Sequence, residues 1–114
     1  MIIRELSAQN IKDSRNEDTI EVSVNNYKAS SPSGKSTGKW EAKPYKNKID
    51  WNIKEIKNLK INFEINSFND LNKLENFVCK KYKLKKAQDF GANALFALES
   101  AILKALVKEN KKEL

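Results

Sequence analysis

The hydrophobic pattern of this chain changes its period, from two residues near the start to between three and four near the end. Ile20, Val22 and Val24 alternate with polar residues, which is typical of a strand buried on one face. Apolar residues between Leu95 and Leu106 recur at spacings of three and four, as on the buried face of a helix. Strands at one end and helices at the other predict an α+β fold.

Residues 1–30 are expected to form a small antiparallel sheet. The first strand is predicted within 1–9, the second is the alternating segment above, and residues 27–30 return as the third. Asn25 and Asn26 stand between the second and third strands, and asparagine tolerates the left-handed backbone of a tight turn. The sequence therefore predicts a hairpin at this point.

The middle of the chain has little periodicity. Residues 31–52 are rich in Ser, Pro, Gly and Lys, which predicts a long, mobile loop. Residues 53–114 are expected to form the helical part, after an extended segment over 59–65 in which apolar and polar residues alternate. A length of 114 residues indicates one domain, 1–114.

Three helical segments are expected in that part. The first is a turn or two around residues 52–58. Ser67, three residues before Asp70, resembles a capping box and predicts the start of the second helix. The last helix is expected from near Phe90 to about Lys111.

Composition narrows the classes of function. The net charge is +7, and there is no histidine, which removes the usual acid–base group at neutral pH. Cys79 is the only cysteine, so no disulfide can form within the chain, and a cytoplasmic location is expected. Charges occur too early for a secretory leader, and no apolar run approaches the roughly 20 residues of a membrane span, so no membrane partner is expected.

Three short motifs occur in a fixed order. They are Asp-Ser-Arg at 13–15, Pro-Ser-Gly-Lys-Ser-Thr-Gly at 32–38, and Gly-Ala-Asn-Ala at 91–94. Together they resemble the N-terminal, capping domain of the enolase family, over most of residues 1–42 and 66–107. The resemblance implies a three-stranded antiparallel sheet followed by packed helices, in agreement with the pattern of periods.

Residues 29–36, which overlap the second motif, also fit the relaxed P-loop pattern, but no helix start follows this motif, so nucleotide binding is disfavoured. In enolases this loop closes over the substrate, and its second serine, matching Ser36, supplies oxygen ligands to a second magnesium ion. Magnesium prefers such hard oxygen ligands. The resemblance thus implies a metal ligand when a barrel partner is present, and a substrate loop made of Ser33, Gly34, Lys35, Ser36, Thr37 and Gly38.

The first motif has two interpretations. The resemblance implies that Asp13, Arg15 and Glu21 lie at interfaces with the barrel or a second subunit. Alternatively, Asp13 caps a local turn and Arg15 pairs with Glu17 or Asp18. The three residues after Arg15 replace the family's Gly-Asn-Pro, which removes its turn-forming glycine and proline. In the third motif's helix, Glu99 replaces a serine of the family, which indicates a less buried helix face.

The resemblance also bears on catalysis. The general base, the acidic catalytic residues and the main magnesium carboxylates of enolases belong to a following barrel, so no catalytic residue is predicted here. We expect no catalytic activity from the chain alone. We expect instead a stand-alone, non-catalytic module that binds a macromolecule, either a barrel-like chain or a second copy. The alternative is an enolase subunit, dehydrating 2-phosphoglycerate, that completes a magnesium site on a separate barrel; no cofactor is expected otherwise.

A third hypothesis rests on two clusters in which lysines surround aromatic residues. Basic groups beside aromatic rings can hold RNA through phosphate neutralisation and base stacking. A solvated surface explains the same pattern. The clusters comprise Lys39, Trp40, Lys43, Tyr45, Lys46, Lys48 and Trp51 in the first, and Lys80, Lys81, Tyr82, Lys83, Lys85 and Lys86 in the second.

Overall fold

The computed structural model describes residues 1–31 and 45–112, with side chains up to residue 110. A three-stranded antiparallel sheet opens the chain, with strands adjacent in chain order. Its strands are β1 (Leu6–Lys12), β2 (Asp18–Val24) and β3 (Tyr27–Ser30). The α+β fold with an N-terminal sheet is therefore confirmed.

The predicted hairpin between β2 and β3 is also confirmed. Asn25 and Asn26 have φ angles of 50° and 73°, so both central residues of the two-residue turn are left-handed, as in a type I′ turn. The side-chain oxygen of Asn25 accepts hydrogen bonds from the backbone N–H groups of Arg4 and Glu5 at 2.7 and 3.0 Å. Because these N–H groups are bound to a side chain, β1 begins at Leu6, later than predicted.

Among the described residues, three α-helices follow the sheet: α1 (Ile49–Asn58), α2 (Leu71–Tyr82) and α3 (Ala92–Lys112). Single-turn 3₁₀ helices precede α2 and α3, at Phe68–Asp70 and Ala87–Phe90. The long last helix is confirmed, although the irregular turn before it puts its start two residues beyond Phe90.

Helix α1 corrects the prediction of a loop over 31–52, because it begins at Ile49. The buried side chain of Asn52 fixes this start. Its amide oxygen accepts a hydrogen bond from the backbone of Lys46 at 3.1 Å, and its amide nitrogen donates to the carbonyl of Phe90 at 2.8 Å. The contact with Phe90 joins residues 38 positions apart, so local composition gave no signal for it.

The prediction of a capping box at Ser67 is correct for the position of the helix start but wrong for the hydrogen bond. Ser67 is the residue that precedes the first 3₁₀ turn, but its side chain makes no capping hydrogen bond. Asp70 instead accepts a hydrogen bond from the backbone of Asn66 at 2.8 Å. The segment between α1 and the 3₁₀ turn at Phe68 forms neither helix nor strand, and its alternating pattern buries Leu59, Ile61 and Ile65.

The core lies between the sheet and helix α3. Helix α3 packs on β2 and β3, and α1 packs beside β1. Four alanines of α3 are fully buried, and their small side chains let the helix approach its neighbours closely. These alanines are Ala94, Ala97, Ala101 and Ala105. Helix α2 and the turn before it lie beside α3 and leave a groove between them.

Candidate functional site

The predicted substrate loop lies outside the described residues. This applies to all of residues 33–38, including Ser36, the expected magnesium ligand. Within 1–31 and 45–112, no three His, Cys, Asp or Glu side chains lie close enough together to hold a metal ion. The loop and its ligand therefore remain predictions.

Asp13 caps the connection between β1 and β2. Its side-chain oxygen accepts hydrogen bonds from the backbone N–H groups of Arg15 and Glu17, both at 2.8 Å. Asn16 has a φ of 64°, a left-handed conformation that glycine usually provides. The capping role of Asp13 is confirmed, and asparagine replaces the family's glycine in the turn.

The predicted ion pair of Arg15 with Glu17 or Asp18 is wrong for the described part of the chain. Asp18 pairs with Lys12 instead, across the β1–β2 register. This hydrogen bond and the positive charge of Lys12 lower the pKa of Asp18. Arg15 is exposed, and the described residues hold no acidic partner for it.

Glu21 lies on β2, facing away from the side that packs on the helices. Its carboxylate accepts a hydrogen bond from the side chain of Gln9, on the neighbouring strand β1, at 2.7 Å. The surrounding surface is a shallow polar depression of about 290 Å³. Glu21 is thus separate from the turn that holds Asp13 and Arg15, and an interface role for these residues remains a prediction.

The aromatic residues of the lysine clusters pack against the core where the structure describes them. Tyr82 contacts Trp51 and Phe90, with ring centroids 5.5 and 5.3 Å apart. Its hydroxyl donates a hydrogen bond to Glu55 at 2.8 Å, and burial raises the pKa of Tyr82. The ammonium of Lys81 lies 5.7 Å from the Tyr82 ring centroid. Core packing therefore explains the aromatic part of the second cluster, while RNA binding remains untested.

A groove between the 3₁₀ turn before α2, α2 itself and α3 is the most distinctive surface of the described structure. Phe68 is 69% exposed and Phe96 is 52% exposed, and both line this groove of about 340 Å³. We call it the Phe68–Phe96 groove. The described residues that line it are Phe68, Asn69, Leu71, Asn72, Glu75, Phe96, Glu99, Ser100 and Leu103.

Two carboxyl groups meet in the Phe68–Phe96 groove. Glu75 comes from α2 and Glu99 from α3, and they are the only ionisable groups among the described lining residues. The Glu99 side chain lies within hydrogen-bonding reach of the Glu75 carboxyl, and its Oε2 atom is buried. Burial, together with the neighbouring carboxyl of Glu75, raises the pKa of Glu99 to about 8. Near neutral pH this group therefore retains a proton.

The sequence pattern missed this groove for two reasons. Phe68 has helical spacing to Leu71 and Leu74, which are buried, but its 3₁₀ turn directs the ring outward. Phe96 lies off the buried repeat of α3. In the sequence, only the glutamate at position 99 indicated an open surface here, because this half-buried residue lies on a helix face that is open to the groove.

The resemblance proposed from the motifs is supported by comparison with known families. Residues 3–114 match the model of the family described as "Enolase, N-terminal domain", which covers nearly all of the chain. A search among curated proteins found no match. None of the described helices is both long and apolar enough to cross a membrane.

Proposed function

The chain belongs to the enolase N-terminal domain family, and from this we propose that it acts by binding another protein rather than by catalysing a reaction alone. The observation that carries the proposal is the Phe68–Phe96 groove, where two aromatic rings from separate elements face solvent together. Exposed apolar residues that share one concave surface are typical of interaction sites, whereas scattered ones are not.

The energetics favour covering this surface. Burying a fully exposed phenylalanine side chain is worth about 1.5–3 kcal/mol. Because Phe68 and Phe96 are 69% and 52% exposed, a partner would gain about 1–2 kcal/mol from each ring. Aromatic residues in such concave sites are frequent energetic centres of protein interfaces. The depression beside Glu21 has no comparable exposed aromatic ring among its lining residues.

Site-specific photo-crosslinking tests this proposal. A benzophenone amino acid at position 96 should crosslink the partner, whereas the same group at position 107 should not. Val107 is a matched control, because it lies on the same helix, is 51% exposed, and is outside the groove. The captured protein should bind the purified wild-type chain and lose binding to the Phe68→Ser variant. Equal crosslinking from positions 96 and 107 would contradict the proposal.

A second candidate function follows from family membership. In it, the chain associates with a barrel-bearing chain, and Ser36 supplies oxygen to a magnesium ion at a shared enolase site. Magnesium sites usually combine one or two protein ligands with substrate oxygens and water, so one serine is useful only when the barrel supplies the rest. Lyase activity should then require both chains, and Ser36→Ala should reduce it without preventing their association.

A further inference from the structure

We propose that the Phe68–Phe96 groove receives an arginine side chain of the partner, with the guanidinium bound by the adjacent carboxyls of Glu75 and Glu99 and the stem against the two phenylalanine rings. This inference rests on the proposed protein-binding function and adds the chemistry of the residue that enters. It uses residues that do not belong to the predicted substrate loop or to the predicted interface.

The charge around the groove is the first argument. The chain carries 22 basic and 15 acidic residues, yet the described lining residues include two carboxyl groups and no lysine or arginine. The nearby Lys73 pairs with Asp70 at 3.5 Å and is not part of the lining. A recess lined by two carboxyl groups and no basic group becomes complementary to a cation when Glu99 loses its proton, and it is unfavourable for an anion. A second copy of the chain is disfavoured as the occupant, because both copies would carry a net charge of +7.

The second argument is the hydrogen-bonding state of Glu99. Its carboxyl lies in hydrogen-bond contact with that of Glu75, so the pair is held together by a proton that a bound cation can replace. A guanidinium presents five N–H donors in a planar fork, so it can bind two carboxylates on neighbouring helices at once. An ammonium is a compact, strongly hydrated charge and satisfies this geometry less well.

The apolar walls are the third argument. The methylene stem of an arginine can pack along apolar surface while its charged end reaches a polar site. Here the rings of Phe68 and Phe96, with Leu71 and Leu103, provide that surface beside the carboxyl pair. A guanidinium also binds favourably to the face of an aromatic ring, which an uncharged side chain does less well.

Binding of a cation should be linked to the protonation of Glu99. The carboxyls that face each other in the groove are those of Glu75 and Glu99, and the other lining residues from both helices and the 3₁₀ turn carry no ionisable group. A bound guanidinium favours the carboxylate form, so binding should release a proton from Glu99 to solvent. Affinity should therefore rise as the pH passes the raised pKa of Glu99.

The test uses three capped tripeptides as probes: Leu-Arg-Leu, Leu-Lys-Leu, and Leu-citrulline-Leu, in which citrulline is the uncharged isostere of arginine. Binding is followed by NMR titration of the intact chain at about 0.15 M salt, where the Debye length of ~8 Å limits repulsion from the distant lysines. We expect amide shifts in the groove and an affinity for the arginine peptide about fivefold or more above that for the citrulline peptide. That preference should be larger at a pH of about 9 than at about 6.

Two variants separate the charge from the apolar surface. Glu75→Gln with Glu99→Gln should abolish both the preference for arginine and its pH dependence, while weak binding of all three peptides persists. Phe68→Ser with Phe96→Ser should weaken every peptide. Equal affinity for the arginine and citrulline peptides would overturn the inference, and a preference for the lysine peptide would overturn it too. Either result would leave the protein-binding proposal intact. Absence of groove shifts with millimolar peptide would also overturn it.

Discussion

Replacing Glu99 with glutamine should make folding stability less dependent on pH. The folded state raises the pKa of the Glu99 carboxyl from 4.5 to about 8, mainly through burial and then through Glu75. Between these values the folded protein binds a proton that the unfolded chain does not. The resulting stabilisation is complete below a pH of about 4.5 and is lost as the pH rises through about 8.

The size of the effect follows from the geometry. Converting the whole pKa difference at 1.36 kcal/mol per pKa unit would give about 4–5 kcal/mol. Glu99 is only half-buried, so solvent screens part of this energy, and we expect about 1–2 kcal/mol. Glutamine keeps the shape and carries no charge. The Glu99→Gln variant should therefore match the wild type near pH 5 and exceed its stability by about 1–2 kcal/mol near pH 9.

Urea unfolding at a series of pH values between about 5 and 9 measures this difference. The exposed Glu17 provides the control, because Glu17→Gln removes a carboxylate outside the groove and should leave the pH dependence unchanged. Glu75→Gln should reduce the slope, because the neighbouring charge contributes to the raised pKa of Glu99. Parallel stability curves for the wild type and Glu99→Gln across this range would refute the reasoning.

Two further predictions concern positions that fix the fold. Asn52→Ala removes hydrogen bonds to Lys46 and Phe90 from a fully buried site, so it should lower the free energy of unfolding by about 2–3 kcal/mol. The control Asn62→Ala, at an exposed position, should change this energy by less than about 0.5 kcal/mol. Lys83 ends α2 with a left-handed φ of 56°, so Lys83→Gly should raise that energy by about 0.5–1 kcal/mol. Urea unfolding near pH 7 measures both, and a stable Asn52→Ala variant or a destabilised Lys83→Gly variant would contradict them.

The sequence predicted the structure correctly where neighbouring residues determine the backbone conformation. The alternating strand before Asn25 and Asn26 and the long repeat of α3 were recoverable, because a two-residue turn and a helix period depend on nearby residues. Asp13 was recoverable as a turn cap for the same reason, since its hydrogen-bond partners lie two and four residues along the chain.

Most of the misses have a different cause, which is contact over long distances in the sequence. The side chain of Asn25 holds the residues before β1, and that of Asn52 bridges α1 to Phe90. Phe68 has the spacing of a buried helical residue, but a single 3₁₀ turn reverses its exposure. The groove itself combines residues from two helices, so no local window contains its pattern.

The most direct test of the account is the affinity of the purified partner for the wild type and for a variant with Phe68→Ser and Phe96→Ser. Isothermal titration calorimetry supplies the dissociation constants, and circular dichroism checks that the fold is retained. We expect the double variant to bind at least about tenfold more weakly, which corresponds to about 1.4 kcal/mol, and Val107→Ser to bind like the wild type. Unchanged affinity in the folded double variant would contradict the assignment of this groove as the binding site.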